Sequence, residues 1–144
     1  MVSETKRFTV DAGHNLDQIE STFTYDGGKE ITVGIGLGKH PKAKAATPAS
    51  GDQADWISLW EDYAVNGELG TGLVLAPGEL SGTAETPLDH LILAHATSGK
   101  PLVYYAGAGW TKSGQFTTAA DWTAYLAAWA QRVASPLKIT VSAQ

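Results

Sequence analysis

The run from Lys100 to Gly114, followed at once by a capped amphipathic segment, constrains the fold more than any other feature of this chain. Lys100–Ala106 has β character and carries adjacent tyrosines, Tyr104 and Tyr105. Gly107, Ala108 and Gly109 read as a glycine-broken turn that presents Trp110 and Lys112. Thr118 is then placed to cap a helix, with Asp121 in a capping-box-like position that also puts a carboxylate at the positive helix end. Trp122, Tyr125, Leu126, Trp129 and Val133 recur at helical spacing as one apolar stripe, and Pro136 stops the run. The stripe needs a sheet to cover.

The rest of the chain supplies that sheet. Lys6–Ala12 alternates, with Phe8, Val10 and Ala12 on one side. Gln18–Asp26 does the same, with Ile19, Phe23 and Tyr25 inward. A period of two with one polar face marks half-buried antiparallel strands. Asp26-Gly27-Gly28-Lys29 is a turn signal, so Gln18–Asp26 and Glu30–Lys39 are expected to form a hairpin. In Ile31–Lys39 the apolar Ile31, Val33, Ile35 and Leu37 alternate with Gly34, Gly36 and Gly38, leaving one face bare for a neighbouring side chain or a ligand. Ala54–Glu61 sets Trp56, Ser58 and Trp60 on one face, and Gly70–Pro77 is a short strand. Leu88–Ala96 and Leu102–Ala106 are apolar on both faces, as central covered strands are. His40–Asp52 and Ser81–Pro87 read as loops, and Leu137, Ile139 and Val141 as a closing strand. About eight strands and one late helix, without βαβ repeats, define a mostly β chain. The expected architecture is an antiparallel β-sandwich with one C-terminal amphipathic helix, formed by residues 1–144 as a single domain.

Composition narrows the function classes. A formal net charge of −5 with two arginines, Arg7 and Arg132, disfavours nucleic acid and anionic membrane surfaces as partners. With no cysteine, disulfides, thiolate nucleophiles and zinc ribbons are excluded. Met1–Arg7 is polar, unlike a signal peptide, and no apolar run reaches membrane-spanning length.

No complete catalytic motif is present. His90 and His95 lie an odd number of residues apart on one strand and face opposite sides, and His14 and His40 sit in turns. Neither a metal site nor a cofactor is expected. The glycine runs have neither dinucleotide-binding nor Walker spacing. Aromatic residues carry the better signal, because sugar rings stack their C–H faces on such side chains. Trp110 and Tyr104 are the leading stacking candidates, with Trp56 and Trp60 read more naturally as core. Lys112 is placed to pair with a sugar carboxylate. If the chain performs an elimination, Tyr105, His95 and Lys112 are the candidate catalytic groups.

The segment Tyr104–Gly114, the helix with Asp121-Trp122 and Tyr125-Leu126, and the ending Pro136–Thr140 resemble a bacterial family of unknown function, DUF4861. Arg7–Gly13 and Ile19–Phe23 are similar to the same family. Its members are longer, secreted or periplasmic, and associated with the breakdown of plant or algal polysaccharides. The resemblance is to the C-terminal part of the family. It implies a sugar-processing β-sandwich, an oligosaccharide or polysaccharide partner, and elimination or dehydration of uronic-acid oligosaccharides. The residues themselves leave two alternatives open: a noncatalytic carbohydrate-binding sandwich with Trp110 as its stacking platform, and a metal-dependent oxidoreductase built from the histidines. Sheet edges left open by the missing N-terminal half imply a homo-oligomer.

Overall fold

Most segments that alternate in sequence are extended in the structure. In the computed structural model, which describes residues 1–28, 30–43, 46–51 and 55–141, nine strands form two antiparallel sheets and one α-helix follows them. The strands are β1 (Val2–Thr9), β2 (Leu16–Tyr25), β3 (Ile31–Gly38), β4 (Ala46–Ser50), β5 (Trp56–Asp62), β6 (Glu68–Leu75), β7 (Leu80–Glu85), β8 (Asp89–Ala96) and β9 (Pro101–Trp110), and the helix is α1 (Ala119–Ala134). The large sheet has the order β1-β2-β9-β6-β5-β4 and the small one β3-β8-β7. The molecule is mostly β, a two-sheet antiparallel sandwich with a single C-terminal helix.

Two cores result, one on each face of the large sheet. Ile57, Leu59, Leu73 and Leu75 meet Leu37, Ile92 and Ala94 of the small sheet. On the opposite face Trp56, Trp60 and Val74 meet Phe116, Trp122 and Leu126 of the helix and its approach. The period of two in β5 thus feeds both cores, its odd residues inward and its tryptophans outward.

The helix docks on glycine. A Cβ on Gly70 would stand 2.6 Å from the Trp122 ring, and one on Gly72 would stand 2.7 Å from both Leu126 methyls. On Gly109 it would stand 2.5 Å from Phe116 and 2.9 Å from Trp122. These distances are below any real carbon contact, so the bare strand surface is what lets the indole descend to the sheet. There Trp122 is fully buried and its indole N–H donates to the Thr71 carbonyl at 3.1 Å. The Gly107–Gly109 segment is accordingly strand, and β9 runs unbroken to Trp110. The turn comes later, at Thr111–Ser113, closed by Gly114 at φ 78°.

Several expectations are corrected. Asp26–Gly28 does not close a hairpin: β2 already has β1 and β9 as neighbours, so β3 crosses to the other sheet and pairs with β8. Lys29 of that turn, and Asp52 and Ala54 beside β5, lie outside the described residues. The loop expected over His40–Asp52 contains β4, an edge strand that tolerates Pro48. The loop expected over Ser81–Pro87 is mostly β7. Leu137–Val141 forms no strand, and Leu137, Ile139 and Val141 are 85–92 % exposed. The bare face of β3 is packed from β8, where Leu91 lies 2.7 Å from a Cβ placed on Gly36. That outer face has no further layer among the described residues, so β9 is covered on both sides as expected but β8 is not.

The capping box forms as the sequence predicts: Thr118 Oγ1 accepts from the Asp121 N–H at 3.1 Å, and Asp121 accepts from the Thr118 N–H at 3.0 Å. Thr118→Ala is expected to cost about 1 kcal/mol in denaturant unfolding. The hydrogen bonds from the Thr118 and Thr117 hydroxyls, joined by both N–H groups, hold the Asp121 carboxyl below its ordinary value. Because the folded value lies below the unfolded one, this contribution is complete above the ordinary carboxylate range and fades as pH falls through the lowered value. Asp121→Asn should flatten the acid limb of a stability–pH curve, which thermal melts at stepped pH will read.

Candidate functional site

The C-terminal end of β9 is where side chains assemble on the surface. β5 and β6 are joined through a one-turn 3-10 segment, Ala64–Asn66, closed by Gly67 at φ 86°. Ala64 itself has φ 58°, and its N–H is held by Asp62 Oδ1 at 2.6 Å. A non-glycine residue in this region stores strain, which the surrounding bonds must hold. The turn also supplies two carbonyls to the end of β9. The Trp110 indole N–H donates to the Asn66 carbonyl at 2.9 Å, and Lys112 Nζ donates to the Val65 carbonyl at 2.7 Å. Below them Thr111 Oγ1 accepts from the Glu68 N–H at 2.9 Å, so the two turns are tied together.

With its N–H held by the turn, Trp110 lies 46 % exposed and is a wall of a shallow, largely apolar concavity of about 390 Å³, shared with Tyr63, Asn66 and Leu69. Lys112 Nζ stands 6.0 Å from the Trp110 ring centre. An ammonium carries three donors, and the Val65 carbonyl takes one of them. Behind the shelf, Glu61 is 2 % exposed. It accepts from the Tyr63 hydroxyl at 2.8 Å and from the His40 N–H at 2.6 Å. Burial, then the hydrogen bond and charge of Glu61, push the Tyr63 phenol up to about 12. It is therefore a fixed donor at neutral pH. The His40 ring lies 5.1 Å from the Tyr63 ring, and its Nδ1 accepts from the Lys42 N–H at 3.2 Å.

A second concavity, about 350 Å³, opens between β3 and the inner face of β1, β2 and β9. The large sheet is wider than the small one, so this floor is left partly uncovered. Tyr104 lies in it, 4 % exposed, with Lys6 among the other lining residues. Burial draws the Lys6 ammonium down, but the Tyr104 oxygen and the Glu4 carboxylate outweigh it and raise the net value. Tyr104 and Trp110 share a strand face six residues apart, which is about 20 Å at roughly 3.4 Å per residue. They serve different concavities.

The other candidate residues scatter. Trp56 and Trp60, 9 % and 7 % exposed, belong to the helix-side core. Tyr105 faces the helix, its ring edge-on to Trp129 at 5.6 Å and its hydroxyl 3.4 Å from Gln18 Oε1. His95 is on the outer face of the small sheet, 2.9 Å from Glu30. Tyr105, His95 and Lys112 thus occupy three separate surfaces and form no common site, because strand parity and sheet assignment separate them. The four histidines are likewise apart: His14 edges Trp129, and His90 is buried with Nε2 3.3 Å from the Ala49 carbonyl. Among the described residues no three His, Cys, Asp or Glu side chains converge to hold a metal. Sequence reasoning missed Tyr63, Asn66 and Leu69. The Asn66-Gly67 pair, a strong hairpin signal, was the available clue that this turn returns beside the end of a neighbouring strand.

Fold and site together define a helix-covered two-sheet β-protein with an aromatic shelf at one end. The chain belongs to the family described as Domain of unknown function (DUF4861), which matches residues 1–139. It is similar to "Uncharacterized protein P7" of Formosa agariphila, at 29% identity over 145 residues covering 97% of this chain and 35% of the relative. The chain thus spans about a third of that relative's length. No solved structure matches.

Proposed function

We propose that this chain is a carbohydrate-handling module that binds acidic, uronic-acid-containing oligosaccharides on the Trp110 shelf. The observation that carries the reading is the tethered indole. Its N–H is bound to the Asn66 carbonyl, so the ring is held with 46 % of the residue exposed, beside Tyr63 and Leu69. A pre-positioned ring offers stacking surface without a further cost in side-chain ordering. The Lys112 ammonium supplies charge for a carboxylate on the same ring system.

Binding suits these groups better than elimination. Abstraction of a proton beside a carboxylate needs a base, and the Tyr63 phenol stays protonated with its hydrogen directed at Glu61. His40 Nδ1 already accepts a backbone hydrogen bond, which leaves its proton on Nε2 in the neutral ring.

The test is titration of neutral and uronic-acid oligosaccharides by calorimetry, with ultraviolet absorbance followed in parallel for a conjugated double bond. Acidic oligosaccharides should bind without turnover. Lys112→Met should weaken them about tenfold, the order expected for one charge-assisted hydrogen bond, and leave neutral ones unchanged. Absorbance growth would make the shelf catalytic. Absence of binding across the panel would remove the saccharide reading.

A further inference from the structure

We infer that the cleft between β3 and the β1–β2–β9 floor is a binding site for a small amphiphilic carboxylate, distinct from the saccharide shelf. The walls are apolar. Ile19, Phe23 and Leu102 come from the large sheet, and Val33 and Ile35 from the inward face of β3. A cavity of about 350 Å³ that sets this apolar surface beside Lys6 and Ser21 suits a small ligand with one charged and one apolar end.

The polar atoms are grouped at one place. β1 and β2 pair so that Lys6 is directly opposite Ser21, and both side chains point to the inner face. Cross-strand partners have Cβ atoms about 5 Å apart, so one bound group can reach both. Ser21 is 1 % exposed, and its hydroxyl has no hydrogen-bond partner among the described residues. Leaving a buried hydroxyl unpaired is unfavourable, and native structures rarely do so without a reason. Lys6 is the complementary charge. Its Nζ lies 3.5 Å from Glu4 Oε1, a long contact between side chains 42% and 35% exposed, which an incoming anion can displace.

A carboxylate placed here accepts from Lys6 Nζ and from Ser21 Oγ, and its hydrocarbon body lies against Ile19, Phe23, Leu102, Val33 and Ile35. Two donors from adjacent strands and one apolar trough specify both ends of such a ligand.

Octanoate and its neutral counterpart 1-octanol are the probes. Octanoate should bind in calorimetry and shift backbone amide signals of Ser21, Phe23, Val33 and Ile35 while leaving Asn66 and Trp110 still. Lys6→Met should weaken octanoate about tenfold and leave octanol unchanged within about twofold. Ser21→Ala should weaken octanoate severalfold. Without ligand, the same variant should raise Tm, since it removes the unpaired hydroxyl. The inference is overturned if octanoate produces neither heat nor shifts, if the shifts fall on the Trp110 shelf, if both variants bind octanoate as the parent does, or if Ser21→Ala lowers Tm.

Discussion

Trp122→Ala should be the most damaging single truncation in this chain, costing about 3–5 kcal/mol for the buried indole. Loss of its N–H also removes a hydrogen bond to the Thr71 carbonyl, which adds to the cost. A small domain has only about 5–15 kcal/mol in all, so the variant should melt far below the parent, in a broadened transition. The physical reason is the glycine floor: Gly70, Gly72 and Gly109 leave a strip in which the helix approaches the strands directly. A double-mutant cycle isolates that arrangement. Gly72→Ala alone should be strongly destabilising, because its methyl meets the Leu126 side chain 2.7 Å away. In a Leu126→Ala background the added penalty should shrink, since the opposing methyls are gone and the new methyl fills part of the cavity. Denaturant unfolding of the four proteins reads the coupling. Strict additivity would mean that the helix is not seated on these glycines.

That floor also marks the boundary of what the chain's letters convey. Alternation specified faces: Trp56, Ser58 and Trp60 were placed on one side of β5, Tyr104 and Tyr105 on opposite sides of β9, and the structure keeps both assignments. The capping box and the helix stripe were equally legible, since both are local. Partner choice was not. Asp26-Gly27-Gly28 announces a reversal, but whether the returning strand joins its predecessor depends on both edges of β2 being taken, one by the preceding β1 and the other by β9, distant in sequence. β4 and β7 were missed because their residues are mostly small and polar, and their order comes from pairing at a sheet edge rather than from an apolar face. The glycines of β9 read as a turn, and only the Phe116 and Trp122 rings, placed by the later helix, show that Gly109 serves close approach instead. The shelf was half visible: Trp110 and Lys112 come from the legible stretch, whereas Tyr63 and Leu69 arrive through a hairpin about fifty residues earlier. A groove shared by two separate turns has no contiguous signature.

Trp110→Ala should abolish most saccharide binding while sparing the fold, and that contrast makes it the sharpest test of function. At 46 % exposure the indole contributes little to either core. Its structural role is one hydrogen bond to the Asn66 carbonyl, worth about 1 kcal/mol, so the melting temperature should fall by only a few degrees. As a stacking surface it should be worth more. Central tryptophans in binding sites commonly account for about 2 kcal/mol or more, a loss of roughly thirtyfold in affinity. Trp110→Phe separates tether from surface: it keeps an aromatic face but cannot donate to Asn66. If pre-positioning by the tether matters, Trp110→Phe should recover only part of the affinity; if ring area alone matters, it should recover nearly all. Calorimetry of both variants against the same acidic oligosaccharide, alongside melts, distinguishes these outcomes. A Trp110→Ala protein that binds as the parent does would mean that sugar, if bound at all, lies elsewhere on the molecule.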